Sequence, residues 1–175
     1  MNNFVLALIP SDNSLPIPAN IGFLEVLIVI TFILHIVFVN FTISLATNAV
    51  LLEGLGIVKK NSKLDAMAKI CSLHASIHKS IAVVLGVGPL LIISVIYTQY
   101  FYNSTILIGK AWLSVIILLI VAFLLLYVYK FTWDRWQHKK ALHMLVGGLG
   151  AAILLFVPLI FIVNVVSMLY PDKWA

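Results

Sequence analysis

Four long, predominantly apolar segments separated by short polar stretches dominate the chain. They cover residues 21–52, 66–101, 106–130 and 141–169. Each is long enough to cross the hydrocarbon core of a bilayer as a helix, which takes about 20 apolar residues. The pattern therefore predicts an all-α fold, a polytopic membrane four-helix bundle. It leaves an N-terminal arm (1–20) and a short tail (171–175), both predicted to lie outside the membrane.

Composition supports a membrane protein and excludes several other classes. The chain has 175 residues, 63% hydrophobic and 10% charged, with a mean hydropathy of +1.14. Soluble domains average about 45–50% apolar and about 25% charged residues. A single cysteine, Cys71, excludes CxxC pairs and the CxxCH motif that attaches haem covalently. The net charge of +5 comes mainly from lysines next to the spans, so nucleic acid is not a predicted partner.

The basic residues predict how the bundle is oriented. Two of the three connections between spans are strongly basic, through Lys59, Lys60 and Lys63 in the first and Lys130, Arg135, Lys139 and Lys140 in the third. The connection between spans two and three carries Lys110 alone. The positive-inside rule then predicts cytoplasmic basic connections and both termini on the outer, periplasmic side. The predicted location is the bacterial inner (cytoplasmic) membrane, with lipid as a partner.

Four histidines lie in or beside the apolar segments: His35, His74, His78 and His143. An ionisable group at membrane depth is costly and indicates function by default. Imidazole is also an axial ligand of haem iron in cytochromes. We therefore treat all four as candidate ligands of haem iron. Helical geometry places His74 and His78 roughly 6 Å apart on one helix face.

Small residues share a helix face with two of these histidines. Ala82 and Gly86 follow His78, and Gly147 and Gly150 follow His143. Small residues next to a buried imidazole would leave room for a flat macrocycle, which favours a haem pocket. Plain packing is the alternative, because glycine and alanine are common where membrane helices approach closely.

Each histidine also has an alternative interpretation. His35 fits a hydrogen-bonding core residue, His143 an interfacial one, and His74 and His78 a proton path or contacts with lipid headgroups. Two haems bound to histidines four residues apart would crowd each other. We therefore expect one histidine of the pair to be an axial ligand, and the other to bond a haem propionate, a quinone or a residue that itself ligates the iron. Three basic residues are candidates for contact with haem propionates or lipid headgroups: Lys79, Arg135 and Lys139.

The acidic residues argue against a pump or a transporter. All six lie near the ends of the spans or outside them, and none lies in the middle of a predicted span. Proton pumps and transporters usually carry such mid-membrane carboxylates, and many transporters show inverted repeats that are not detectable here. A small transporter or channel is therefore disfavoured.

Several short motifs occur in the order in which a known membrane-protein family has them. The stretch Leu34-His35-Ile36-Val37-Phe38-Val39-Asn40-Phe41-Thr42-Ile43 resembles the first-helix histidine motif of subunit I of the cytochrome bd quinol oxidases, and Leu52-Glu53-Gly54-Leu55 looks like the end of the same helix. Residues 81–88 are similar to its small-residue second helix. Thr132-Trp133-Asp134-Arg135 matches the turn between its third and fourth helices. The order is collinear, so the resemblance covers the first four helices of that subunit.

The resemblance implies a haem ligand at one position only. In that family the first-helix histidine ligates haem, which carries over to His35. The glutamates of the family's third helix have no counterpart in residues 106–130, and the later helices and the quinol-binding loop are missing, so oxygen reduction is not implied. His74, His78 and His143 look like additions that would make a bis-histidine cytochrome.

The sequence thus predicts a membrane b-type cytochrome that passes electrons between the quinone pool and a periplasmic partner. We expect an electron-transfer subunit of a hetero-oligomeric complex rather than a complete enzyme. Two haem b groups are predicted, paired by depth as His35–His78 and His74–His143. The expected partner is a c-type cytochrome or a periplasmic oxidoreductase subunit. The alternative is a cofactor-free membrane anchor, a structural subunit of a respiratory complex.

Overall fold

The computed structural model describes residues 16–174, and these form five α-helices and no strand. The helices are α1 (Ile21–Lys59), α2 (Ser62–Ile96), α3 (Thr98–Leu107), α4 (Gly109–Phe131) and α5 (Lys140–Leu169), with 3₁₀ turns at Gln137–Lys139 and Pro171–Lys173. All but α3 are long and apolar enough to cross a membrane. The all-α membrane bundle is therefore confirmed. Most of the predicted arm (1–15) and the last residue of the tail lie outside the described residues.

A tight turn joins α1 and α2 into a long antiparallel hairpin. The first helix continues to Lys59, beyond the predicted boundary at residue 52. Lys60 then adopts a left-handed conformation (φ 49°), and the N–H of Asn61 donates to the Gly56 carbonyl over 3.0 Å. The Asn61 side chain accepts from the N–H of Lys63 and so caps α2. Hydropathy identified the membrane-crossing part of this hairpin but not its helix ends.

The third helix is a short element that the sequence pattern divided between two spans. Its residues are mostly polar or aromatic, and the chain breaks at Tyr97 and Ile108 on either side of it. Ser104, fully buried, donates to the side-chain oxygen of Asn164 on α5 over 3.1 Å. This contact holds α3 against the end of the bundle where α2 finishes.

Small residues let the four long helices approach each other. The central apolar cluster draws on all four, through Ala46, Ala75, Ala122, Leu126, Ala151 and Leu154. Alanine at a crossing point allows close backbone contact, which is the usual packing of membrane helices. Large apolar side chains are exposed along every long helix, as expected of surfaces in contact with lipid.

Two ion pairs mark one end of the bundle, which we call the basic end. Lys69 on α2 contacts Asp134 over 2.7 Å, and Lys140 on α5 pairs with Asp65 on α2. The first pair joins α2 to the connection between α4 and α5, and the second joins α2 to the first residue of α5. The first is largely exposed to solvent and contributes little stability, as is usual for surface pairs.

Candidate functional site

The candidate histidines lie in two different environments. His35, His74 and His78 lie along the groove between α1 and α2, whereas His143 is buried near the basic end among residues of α1 and α4. We refer to these places as the α1–α2 groove and the Glu53 cluster, the latter formed by Glu53, Tyr129 and His143.

In the groove, His35 is fixed by a bond to the neighbouring helix. Its Nδ1–H donates to the carbonyl of Ala82 over 2.9 Å, and the ring is half-buried. A methyl group at Gly86 would lie 2.7 Å from Cε1 of His35, so only glycine accommodates the ring there. With the proton on Nδ1, the neutral form of this ring presents a lone pair at Nε2, and Nε2 has no hydrogen-bond partner within residues 16–174.

His78 shows the same arrangement. Its Nδ1–H donates to the carbonyl of His74, one turn earlier on α2, over 2.8 Å. The half-buried ring packs against Phe38 and Phe41 of α1, with ring centroids 5.8 and 5.4 Å away. Its Nε2 is likewise without a hydrogen-bond partner among the described residues. His35 and His78 thus offer the same ring nitrogen in one groove.

His74 is the most exposed of the three. Its ring centroid lies 6.2 Å from that of His78, which agrees with the spacing expected for one helix face. Its backbone carbonyl accepts the bond from His78. His74 therefore contributes to fixing the His78 ring through its main chain.

In the Glu53 cluster, both ring nitrogens of His143 are occupied. Nε2 lies 2.7 Å from the carbonyl oxygen of Tyr129, and Nδ1 lies 2.8 Å from Oε1 of Glu53. The hydroxyl of Tyr129 donates to Oε2 of Glu53 over 2.9 Å. One histidine, one carboxyl and one hydroxyl thereby link α1, α4 and α5, and all three residues are almost completely buried.

The contacts of His143 limit where protons can be. A carbonyl oxygen only accepts, so Nε2 of His143 must carry a proton. One further proton lies between Nδ1 and Glu53, giving either an imidazolium–carboxylate pair or a neutral imidazole beside a carboxylic acid. Every donor in this cluster faces an acceptor, which is the condition for burying such groups at acceptable cost.

Aromatic rings close the space around His143. The Tyr129 ring stacks on it at 4.3 Å, and the Trp133 ring meets it edge-on at 4.9 Å. A methyl group at Gly147 would lie 2.7 Å from the Tyr129 ring carbons. The expectation of free space for a macrocycle beside the small residues is therefore wrong at both sites: Tyr129 covers Gly147, and His35 covers Gly86.

Lys79 is a buried cation facing α4. Its side chain is 1% exposed, and Nζ lies 3.4 Å from the centre of the Tyr127 ring and 5.1 Å from that of Phe123. Among residues 16–174 it forms no ion pair. Aromatic faces stabilise a desolvated ammonium group by cation–π attraction. The other two candidate propionate contacts, Arg135 and Lys139, are exposed near the basic end.

Sequence reasoning missed the Glu53 cluster. The sequence pattern puts Glu53 at the end of the first span and indicates no contact between it and Tyr129. One signal was present: Glu53 follows His35 by five full helical turns, so the carboxyl lies on the face that packs against the bundle. An acid on that face requires a buried partner.

Comparison of this chain with family models, curated proteins and solved structures gave no match. The likeness to subunit I of the cytochrome bd oxidases stays a resemblance between short motifs. The proposals below therefore depend on the geometry of the groove and of the bundle.

Proposed function

We propose that this chain is a membrane b-type cytochrome subunit that binds haem through the α1–α2 groove and transfers electrons between the quinone pool and a partner protein. One observation carries the proposal: His35 and His78 both donate Nδ1–H to a backbone carbonyl, and Nε2 of each ring has no hydrogen-bond partner among residues 16–174. Metal-bound histidines characteristically make this second bond, which fixes the tautomer and orients the ring.

The proposal keeps His35 and His78 as ligands and assigns His143 another role. Ligation by His143 would require breaking its bonds to Tyr129 and Glu53 and would leave a buried carboxyl group short of a donor. His74 and His143, predicted as a second ligand pair, lie in different environments. We therefore propose one haem per chain, with His143 holding the bundle together at its basic end.

When bound, haem supplies a one-electron carrier whose potential depends on its axial ligands and on burial. The residues of the chain orient and shield it. The carbonyls of Ala82 and His74 hold the two imidazoles, and Phe38 and Phe41 pack against the His78 ring.

Orientation and partners belong to the same proposal. In this proposal the basic end faces the cytoplasm, as the positive-inside rule predicts, and the membrane is the bacterial inner membrane. Electrons then pass between quinone or quinol and a c-type cytochrome or periplasmic oxidoreductase subunit. Exposed Arg135 and Lys139 would meet lipid headgroups at the cytoplasmic face.

A cofactor-free membrane anchor is the second candidate, and a specific observation favours it. Gly86 and Gly147, the positions expected to make room for a macrocycle, are covered by rings of the chain itself. In this alternative the groove histidines only cross-link α1 and α2, as His35 does through Ala82.

Haem content distinguishes the two candidates. The chain is produced in a haem-sufficient bacterial host, purified in mild detergent and assayed by the pyridine haemochrome method and by a reduced-minus-oxidised spectrum. The cytochrome proposal predicts a b-type spectrum and about one haem per chain. Folded, helical protein without haem, also after incubation with haemin, would refute the cytochrome proposal and leave the anchor.

A further inference from the structure

A stripe of polar side chains runs along the outward face of α1. Asn40, Ser44 and Asn48 are spaced four residues apart, and all three are exposed. Ala46 and Glu53, on the opposite side of the same helix, are buried in the bundle. The stripe thus faces away from every other described helix.

The stripe lies at membrane depth. Residues 26–52 contain no Asp, Glu, Lys or Arg, and Asn40 lies in the middle of this segment. The amide of Asn48 donates to Ser44 within the helix, whereas the side chain of Asn40 has no hydrogen-bond partner among residues 16–174. Amides facing hydrocarbon without a partner are costly, so polar groups in membrane helices usually face another protein surface.

The asparagines of the long helices divide between the interior of the bundle and this outward face. The four long helices contain three asparagines and no glutamine, and Asn164 is buried against Ser104. The other two lie on the stripe. The first helix is also the least covered: 6% of its most apolar stretch is buried, against 33% for the span that contains α5.

We propose that the polar stripe is the contact surface with α1 of a second copy of this chain, around a two-fold axis parallel to the membrane normal. Such an axis brings each residue opposite its own equivalent at the same depth. Amide and hydroxyl groups both donate and accept, so a stripe of Asn, Ser and Asn complements itself. It carries no charge that would select an oppositely charged partner helix.

The spacing fits this pairing. Residues four apart form a continuous ridge, and two such ridges interdigitate at a helix crossing. Ser44 is small and central, which lets the two backbones approach closely enough for the asparagines to bond across the interface. The inference does not depend on haem, so it stands or fails separately from the proposed function.

Disulfide cross-linking in native membranes tests the contact. In a Cys71→Ala background, Ser44→Cys is oxidised with copper phenanthroline and examined on a non-reducing gel. The matched control is Leu124→Cys. Leu124 is exposed on α4, and its neighbours Ala122 and Leu126 pack in the same cluster as Ala46. We expect a band at twice the chain mass for Ser44→Cys, with a yield at least tenfold above that of Leu124→Cys.

Three results would overturn the proposal. These are no cross-linked product from Ser44→Cys, a product equally strong at Leu124→Cys, or a product whose mass is that of this chain joined to a different protein. The last would mean that a partner subunit covers the stripe.

A second measurement separates loss of the interface from loss of the fold. In the double variant Asn40→Leu/Asn48→Leu, the dimer dissociation constant in detergent, measured by analytical ultracentrifugation, should rise at least tenfold. Helix content by circular dichroism should be unchanged, because neither side chain bonds to another helix. Dimerisation as tight as in the unmodified chain would contradict the proposal.

Discussion

At the residue scale, the Glu53 cluster illustrates why polar groups are buried as complete sets. His143 shares a proton with Glu53 and donates to the main chain of α4, and Tyr129 donates to Glu53. Removing one partner of a buried ion pair leaves the other charge uncompensated, which typically costs about 3–5 kcal/mol, and the removal of a neutral hydrogen-bond partner costs about 1–3 kcal/mol. The cluster therefore stabilises the basic end only when all three of its residues are present.

We accordingly expect His143→Ala to be strongly destabilising. It should lower the free energy of unfolding by about 3 kcal/mol or more, measured by denaturant titration in detergent micelles. Tyr129→Phe keeps the ring over Gly147 and loses one bond, so its cost should be smaller, about 1–3 kcal/mol. His138→Ala, at an exposed position, is the control and should leave stability unchanged. Equal stability of His143→Ala and His138→Ala would refute a structural role for this cluster.

Gly86 is the residue on which the position of His35 depends. Gly86→Ala places a methyl group 2.7 Å from the His35 ring, which must then move and weaken its bond to Ala82. Gly88→Ala is the matched control on the same helix, since its methyl would meet Thr31 at an ordinary 3.4 Å.

If the groove binds haem, the difference spectrum of Gly86→Ala should be shifted or lost and that of Gly88→Ala preserved. Identical spectra in both variants would contradict the placement of haem next to His35.

At the element scale, the helix ends depend on local backbone chemistry that hydropathy does not report. The first helix continues past residue 52 because its last turns lie beyond the apolar stretch but remain helical up to the left-handed Lys60. The break before α3 coincides with a change to polar and aromatic residues rather than with a proline or glycine. The four spans were predictable because a stretch of about 20 apolar residues is typical of a helix that crosses a membrane. The short α3, whose residues are mostly polar or aromatic, has no such stretch.

Glycine substitutions at two adjacent lysines in the turn between α1 and α2 should change the stability of the protein in opposite directions. Glycine adopts a positive φ without steric cost, so Lys60→Gly should stabilise the protein by about 0.5–1 kcal/mol. Lys59→Gly lies inside the helix and should destabilise by up to about 1 kcal/mol. Denaturant titration of both variants checks the signs. Destabilisation of the protein by Lys60→Gly would contradict the importance of the left-handed Lys60 backbone for the turn of this hairpin.

At the scale of the whole molecule, the four candidate histidines fall into two environments, the α1–α2 groove and the Glu53 cluster. They do not form the two ligand pairs that depth in the membrane predicts. Sequence spacing placed His74 and His78 on one face correctly, because that depends only on helix geometry. It could not show that His143 meets Glu53, since that contact joins residues 90 positions apart. It also could not show that α1 turns Asn40 and Asn48 outward, because this depends on which face of α1 packs against α2.

The proposed function depends most on haem ligation by His35 and His78. It is tested most directly by reduced-minus-oxidised spectra of His35→Ala, His78→Ala and the exposed control His138→Ala, recorded on purified protein at matched concentration. We predict that each groove variant loses most of the b-type signal or shifts its maximum, whereas the spectrum of the control should equal that of the unmodified chain. An unchanged spectrum in both groove variants would contradict the account.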